Sequence, residues 1–387
     1  NELLAWRWRI MNLPEGWERT SVKDVIAGDI RNGYSPVCSS EFHGNGWVFG
    51  LGALTLNGMD YSQRKAAPDD KRLQAVILRH EDFLISRSNT PDRVGLVSLF
   101  EQRDEIYYFP DLMMRFRVDS QKIRPKFFFY MLSMPDSRNY FKRKASGTSS
   151  SMVKITSKAL KDLRFSMPTL PEQRRIAEVL GTWDEAIEKL ERLIQKQKLV
   201  NNYFKQKIFL NSSFEFRSID QLASLIFLER GRPLTANDVG IGKIPVIAGG
   251  QTVPYYHDQY THNKPSVTIS ASGAYAGYVW FHPEKVWASD CNVLTSEVFN
   301  VKFIFYALEV QQSRIYRLQK GGAQPHVYPS DLGKIKIPCP PRGVQDKIVC
   351  QLDHCERKIE IMKGIVTALQ RQKRGLMQKL LTGNWRV

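Results

Sequence analysis

The sequence predicts an α/β (α+β) protein in which two similar globular domains are separated by two long antiparallel coiled-coil helices. An internal duplication would give the whole a pseudo-two-fold relation. Three observations predict this. The chain repeats itself at a fixed offset, each copy carries an apolar seam with 3-4 spacing, and short β-type runs fill the segments between the seams.

The repeat organises everything else. Residues 158–195, KALKDLRFSMPTLPEQRRIAEVLGTWDEAIEKLERLIQ, align without gaps on residues 330–367 at an offset of 172. Leu160 falls on Leu332, Gln173 on Gln345, Ile176 on Ile348 and Leu180 on Leu352. Upstream, with slightly larger offsets, FFFYML (127–132) pairs with FIFYAL (303–308), and Arg138 and Tyr140 pair with Arg314 and Tyr316.

Each copy ends in a helix-forming stretch. The first seam runs Ile176, Leu180, Trp183, Ile187, Leu190, Ile194, Gln197, Asn201, Phe204, Ile208. The second runs Ile348, Leu352, Cys355, Ile359, Met362, Val366, Leu369, Lys373, Leu376, Leu380. This is the a/d spacing of a coiled coil. Both seams turn polar at matching places, Asn201 and Lys373, where a polar residue costs stability but fixes register. Pro168 and Pro171 precede the first helix, and Pro338, Pro340 and Pro341 the second, as expected for a residue barred from a helix interior. Some 36 residues at 1.5 Å each would make a rod of roughly 55 Å.

The remaining segments contain runs such as AVILRHEDFLIS and VGLVSLF in the first and KIPVIAGG, SVTIS and GYVWFH in the second, bounded by Gly, Pro and Asn. The expected boundaries are residues 1–168 for the first globular domain, 169–211 for the first helix, 212–340 for the second domain and 341–387 for the second helix.

Charge restricts the partners. Lys and Arg number 56 against 39 Asp and Glu, a net charge of +17, spread through the folded segments. That balance points to a polyanion, with nucleic acid first. No run of 18 apolar residues suggests a membrane span, and the opening stretch is too interrupted by charge to read as a secretory signal. The five scattered cysteines, Cys38, Cys291, Cys339, Cys350 and Cys355, suit a reducing cytoplasm better than a disulfide framework.

Catalytic patterns are missing. There is no G-x-x-x-x-G-K-[ST] phosphate loop. GLGALT (50–55) has two glycines of a dinucleotide fingerprint but not the third, and reads as a turn. CPPR (339–342) lacks the flanking polar and aromatic residues of a base-methylating tetrapeptide. Pro91-Asp92 with Glu101 and Arg103 imitates a nuclease pattern but offers Arg where Lys is needed. Cys350, His354 and Cys355 lack a fourth metal ligand.

Several phrases resemble a known family. LPEGWERTSVKDV, DFLISRSNTPDRVGLV and GTSSSMVKITSKALKDLRFSMPTLPEQRRIAEVL are similar to the first target-recognition domain and spacer helix of type I restriction specificity subunits. KIPVIAGGQTVPYY, SVTISASGAYAGYVWF, IPCPPRGVQDKIVCQL and LMQKLLTG extend the likeness through the second half. The second copy departs at Arg342-Gly343-Val344, where the first has Leu170-Pro171-Glu172, yet Gln345 is kept. The resemblance implies two domains that each read half of a bipartite site in double-stranded DNA. It implies helices that set the spacing and dock two modification (methyltransferase) subunits, with restriction subunits joining them. This chain would then be non-catalytic and need no cofactor, with S-adenosylmethionine, ATP and Mg held by the partners. A self-contained DNA methyltransferase or nuclease, and a coiled-coil nucleic-acid-binding adaptor, are the alternative readings.

Candidate DNA contacts follow from residue chemistry: Lys and Arg for phosphates, and Arg, Lys, Asn, Gln, Ser or Thr for base edges. In the first domain they are Arg138, Lys142, Arg143, Lys144, Ser149 and Lys154, with Arg87, Ser88, Asn89 and Thr90 as a polar loop after an apolar strand. In the second they are Arg314, Arg317, Lys320, Gln324, His326 and Tyr328, with Ser272 and Tyr275.

Overall fold

The computed structural model describes residues 13–38, 41, 44–101, 103–149, 152–234 and 242–387. The chain divides into two compact units, Asn1–Glu188 with Thr367–Val387, and Lys189–Val366. Among the described residues no helix is long and apolar enough to cross a membrane. All five cysteines are free thiols.

The first unit is built on an antiparallel sheet in the order Ile26–Asn32, Met113–Val118, Phe83–Ser86, Val97–Leu99. The strand FLIS is buried at every position, as a sheet covered on both faces requires. Helices α1 (Pro125–Ser133) and α2 (Pro135–Lys144) follow, each opened by a proline in its first turn. Phe83 stacks on Phe116 at 5.0 Å and meets Phe128 edge-on at 5.5 Å, which joins sheet to helix. A smaller sheet, ordered Tyr107–Tyr108, Trp47–Phe49, Arg64–Ala66, has its own core around Phe49, Phe100 and Phe109.

The second unit repeats this topology. Its main sheet runs Phe227–Arg230, Cys291–Thr295, Ser266–Ser270, Val279–His282, and its smaller sheet runs Tyr255–His257, Ile244–Ile247, Trp287–Ala288. In both small sheets the middle strand has one parallel and one antiparallel neighbour.

Two 40-residue helices, α3 (Leu170–Phe209) and α6 (Arg342–Leu381), are shared out so that each unit contains part of both. In the first unit Ile176, Ala177 and Leu180 of α3 lie in one core with Met377, Leu380 and Leu381 of α6. The pairs Asp184–Lys373 and Glu172–Arg386 run in opposite sequence directions, so the packing there is antiparallel. In the second unit Phe209 of α3 shares a core with Ile348, Val349 and Leu352 of α6, and Lys205 pairs with Glu356. Most of the expected seam is buried or half-buried, including Ile187, Ile194, Ile359 and Val366. Phe204 is a correction. It is 50% exposed, because the buried positions after Asn201 step by four to Lys205 and Phe209. Asn201, expected as a polar seam residue, is buried with its Oδ1 unpartnered.

The repeated Pro–Gln element has a structural role. Gln173 is buried, donates from Nε2 to the Pro168 carbonyl at 2.9 Å and accepts from the Arg124 amide at 2.8 Å. Gln345 does the same with Pro340 (2.9 Å) and Asn300 (2.9 Å). In each unit this amide ties the start of a long helix to the start of a short one, α1 in the first and α4 (Val301–Glu309) in the second.

A second fastening lies about three helical turns farther along. The Tyr130 hydroxyl donates to Asp184 at 2.6 Å, and Lys373 of α6 pairs with the same carboxylate while its ammonium sits 5.0 Å from the Tyr130 ring. The counterpart is Tyr306, which donates to Asp353 (2.6 Å) and Glu356 (2.9 Å). There Lys205 of α3 reaches Glu356 (2.6 Å) and Glu309 (2.7 Å) and lies 4.6 Å from the Tyr306 ring. Burial, then the neighbouring carboxylates, pushes both tyrosine hydroxyls far above their ordinary range. Burial alone would lower Lys205, but hydrogen bonds to Glu309 and Glu356 outweigh it and hold the ammonium charged.

His282 makes the second unit sensitive to acid. It is buried, hydrogen-bonded to Thr268 at 2.8 Å, and lowered from 6.5 to about 4 by burial and then by the charge of His262. The fold therefore favours the neutral ring, while the unfolded chain takes up a proton near 6.5. As pH falls from 6.5 towards 4 the second unit should lose stability, by up to about 3 kcal/mol. Hydrogen exchange of residues 266–295 at pH 7 and pH 4.5 measures this. Exchange protection that is equal at both pH values, or that falls equally in a His282→Gln variant, would remove His282 as the cause.

Candidate nucleic-acid interface

In the first unit the candidates gather around the turn between the strands Phe83–Ser86 and Val97–Leu99. The structure corrects part of the expected polar loop. Ser88 and Asn89 form a short buried strand paired with Val153 and Lys154. They shape the turn rather than face a ligand: Asn89 Nδ2 donates to Ser86 Oγ at 3.2 Å, and Asn89 Oδ1 accepts from the Thr90 amide at 2.9 Å. Thr90 is exposed.

Arg138 is a second correction. It is buried, and its guanidinium donates to the carbonyls of Val94 (2.7 Å) and Asp92 (2.9 Å), so it supports the turn from below. Burial lowers its pKa, with Asp92 opposing the shift. Its neighbours on α2 stay outside. Lys142, Arg143 and Lys144 are exposed, with Lys142 paired to Asp92 at 3.0 Å and Lys144 lying 5.9 Å from the Tyr140 ring. Gly95, at φ +68, lies so close to Phe141 that a Cβ would come within 2.5 Å of it, which presses the turn against α2.

An open groove of about 720 Å³ lies beside this turn, with Asn32, Arg87, Ser146, Lys154, Thr156 and Ser157 among its lining residues. Arg87 donates to the Asp111 carbonyl at 3.3 Å, and Lys154 is exposed on the strand Met152–Lys154. That strand pairs with Ser146–Ser149. Ser149 closes the latter strand, and its side chain lies outside the described ones. Sequence reasoning missed Asn32 and Ser146, which carry no local signal. Thr156 had one, a helix cap: its hydroxyl accepts from the Ala159 amide at 3.1 Å.

In the second unit the expected residues converge. The turn after Ser266–Ser270 is joined to the segment 320–328 by backbone bonds from Gly273 to Pro325 (3.0 Å) and from Val327 to Ala271 (2.9 Å). Ser272 and His326 form a bridge, and so do Lys320 and His326. Tyr275 and Tyr328 are 47% and 48% exposed, Gln324 is exposed, and the His326 ring stacks near Tyr328 at 6.2 Å. Lys320 pairs with Asp331 at 2.5 Å, and that bond holds the Asp331 carboxyl below its ordinary value. Arg314 and Arg317, on and just after helix α5 (Gln312–Tyr316), are exposed. Arg314 donates to Gln311 at 3.1 Å and Arg317 to the Ser313 carbonyl at 3.3 Å.

The offset that pairs Arg138 with Arg314 does not carry over to their surroundings. Beside the second turn the supporting role falls to Gln312, which donates to the Gly277 carbonyl (2.7 Å) and accepts from the Val279 amide (3.0 Å). Asp290 was also missed. It accepts from the Ser272 hydroxyl and from Arg230 at 2.6 Å.

Comparison with known proteins decides what these units are. Residues 14–198 and 211–371 both match the family described as type I restriction modification DNA specificity domain. The chain belongs to that family. Its members are the DNA-recognition subunits of type I restriction-modification systems and are non-catalytic. The chain is 24% identical to a putative type I restriction enzyme MjaX specificity subunit of Methanocaldococcus jannaschii, over 98% of this chain and 96% of that one. It is 25% identical to the type I restriction enzyme EcoEI specificity subunit of Escherichia coli, over 47% of this chain and 31% of that protein. Its fold is similar to a type I restriction-modification S subunit from M. genitalium, with a TM-score of 0.61 and 18% identity over 96% of this chain and 98% of that chain.

The support that Arg138 gives to the turn between Phe83–Ser86 and Val97–Leu99 can be tested. Arg138→Met leaves two carbonyls without donors and should cost about 2–3 kcal/mol in urea unfolding. Lys142→Ala removes an exposed ion pair and should cost under about 1 kcal/mol. Equal, small effects from both would place Arg138 outside the turn's support.

Proposed function

We propose that each unit reads one half of a bipartite duplex target and that α3 and α6 set the interval between the halves. The observation that carries this reading is the repetition, unit by unit, of the same sheet topology, each copy fastened to a long helix through Gln173 or Gln345. In the first unit Arg143, Lys144 and Lys154 would hold phosphates while Arg87 and Thr90 face base edges. In the second Arg314, Arg317 and Lys320 would hold phosphates while Tyr275, Gln324, His326 and Tyr328 reach into a groove. Phosphate contacts position and base contacts specify. The functional modules would be residues 1–168 and 212–340 as readers, with 169–211 and 341–387 as spacers.

Two modification subunits would dock on the helices, and restriction subunits would join the assembly. On α3 and α6 the side chains of Leu193, Leu199, Tyr203, Phe204 and Ile361 are at least half exposed. Exposed apolar side chains of that size on the helices favour a protein partner. S-adenosylmethionine, ATP and Mg would be bound by those subunits, and the assembly would work in the cytoplasm where its DNA is.

A 40-residue helix is about 60 Å long, enough to span half-sites one DNA turn apart at about 34–36 Å. Inserting one heptad into both helices should lengthen the unread gap by about 3 base pairs, from 1.5 Å per residue against 3.4 Å per base pair. Methylome sequencing of cells expressing the variant with its modification subunit reads the gap directly, and an unchanged gap would refute the spacer role. Arg143→Ala should weaken binding to all duplexes alike and lower the salt slope by about one, measured by titration at several salt concentrations. A change in base preference instead would make Arg143 a reader.

A further inference from the structure

One loop near each specificity turn has no part in the contacts assigned above. In the first unit it joins Trp47–Phe49 to Arg64–Ala66 and contains the GLGALT segment. It turns through Leu51–Ala53 and then projects a hairpin, Leu54–Thr55 against Gly58–Met59, with Leu56 and Asn57 at the tip. The tip is stiff. Thr55 Oγ1 donates to the Gly58 carbonyl at 2.8 Å and accepts from the Asn57 amide at 3.2 Å. Leu56 is 73% exposed, so it contributes nothing to the core.

The base of this hairpin is fastened to the specificity turn. Arg93, within that turn, donates from Nη2 to the carbonyls of Gly52 (3.1 Å) and Leu54 (3.2 Å). In the second unit the loop at the same topological place is residues 248–254, between Ile244–Ile247 and Tyr255–His257. It too leans on the turn. A Cβ added at Gly249 would come within 2.7 Å of the Ser272 carbonyl, a contact that only glycine allows. Gln251 and Thr252 at its tip are exposed.

We infer that this loop is a second reading element in each unit. Leu56 and Asn57 in the first, and Gln251 and Thr252 in the second, contact base edges next to those met by the specificity turn. The inference rests on the proposed reading of the units as DNA readers. The turn and the loop are held together within each unit, so a ligand seated on one meets the other. The side chains fit the chemistry of A·T pairs: Asn and Gln can bond adenine N6 and N7, while Leu and the Thr methyl can pack on the thymine methyl. Leucine at a stiff tip makes an apolar contact without first being ordered, so little conformational freedom is lost on binding.

The test is selection from a duplex library by the full chain assembled with its modification subunits, comparing wild type with Leu56→Ala, Asn57→Ala and Gln251→Ala. The first two variants should each lose about tenfold in affinity for the selected site and lose preference at one or two A·T positions of one half only. Gln251→Ala should do so in the other half. Replacing thymine by uracil at the position that responds to Leu56 should weaken wild-type binding and leave Leu56→Ala unaffected. Unchanged base preference in the variants, with a wild type that still selects a bipartite site, would overturn the second element while sparing the first reading. A uniform loss of affinity, or a loss of modification-subunit binding alone, would overturn it too. A wild type that selects no site would sink both, and is distinguishable because no variant need be compared.

Discussion

Each unit depends on one half-buried fastening, a tyrosine hydroxyl and a lysine ammonium meeting on a long-helix carboxylate. Tyr130, Asp184 and Lys373 do this in the first unit, and Tyr306, Glu356 and Lys205 in the second. The tyrosine belongs to the short helix under the main sheet, the carboxylate to one long helix and the lysine to the other. Three elements are thereby fixed at one point. A half-buried charge cluster of this kind adds little net stability over apolar packing, but it penalises a shift of register, because a shifted helix would leave a partly desolvated charge unpaired. The requirement is for geometry more than for strength. A reading surface attached to a helix that could slip would meet DNA at an undefined angle.

Around that shared frame the two candidate surfaces differ. In the first unit the segment after α2 forms the hairpin Ser146–Ser149 with Met152–Lys154 and walls a groove. In the second the matching segment, 320–328, is held by isolated bridges and presents tyrosines and a histidine. The turn is supported by an arginine in one and glutamines in the other. The sheet order, the Pro–Gln tie and the tyrosine fastening are common to both. The two units differ where the frame leaves side chains free, and agree where it does not.

Much of the frame was legible in the sequence, because a fixed offset and a 3-4 seam are properties of the chain itself. The seam failed at Phe204, where the buried positions pass to Lys205 and Phe209. A lysine reads as solvent-facing until its two carboxylate partners, Glu309 and Glu356, are seen beside it. The site was less legible. Asn89 and Arg138 have the composition of a ligand-facing loop, yet their polar atoms are used within the fold, and Ser88 is buried beside them; only tertiary contacts distinguish the two uses. In the second unit Ser272, Tyr275, Lys320, Gln324, His326 and Tyr328 lie on two segments joined by backbone bonds, a proximity that the sequence alone did not give. Asp290 and Asn32 carry no pattern that local sequence could reveal.

The division of the chain also governs the order in which it can fold. The second unit is one uninterrupted stretch, Lys189–Val366, whereas the first needs residues from both sides of it. A nascent chain emerging from the ribosome can complete the second core while the first still lacks Met377, Leu380 and Leu381. Until those residues appear, Ile176, Ala177 and Leu180 pack on α1 but lack the α6 side of their core, and Asp184 waits for its lysine. The unit synthesised first is thus the last to close, and its apolar helix face is open to chaperones, or to a neighbouring copy, for as long as translation of the intervening unit takes.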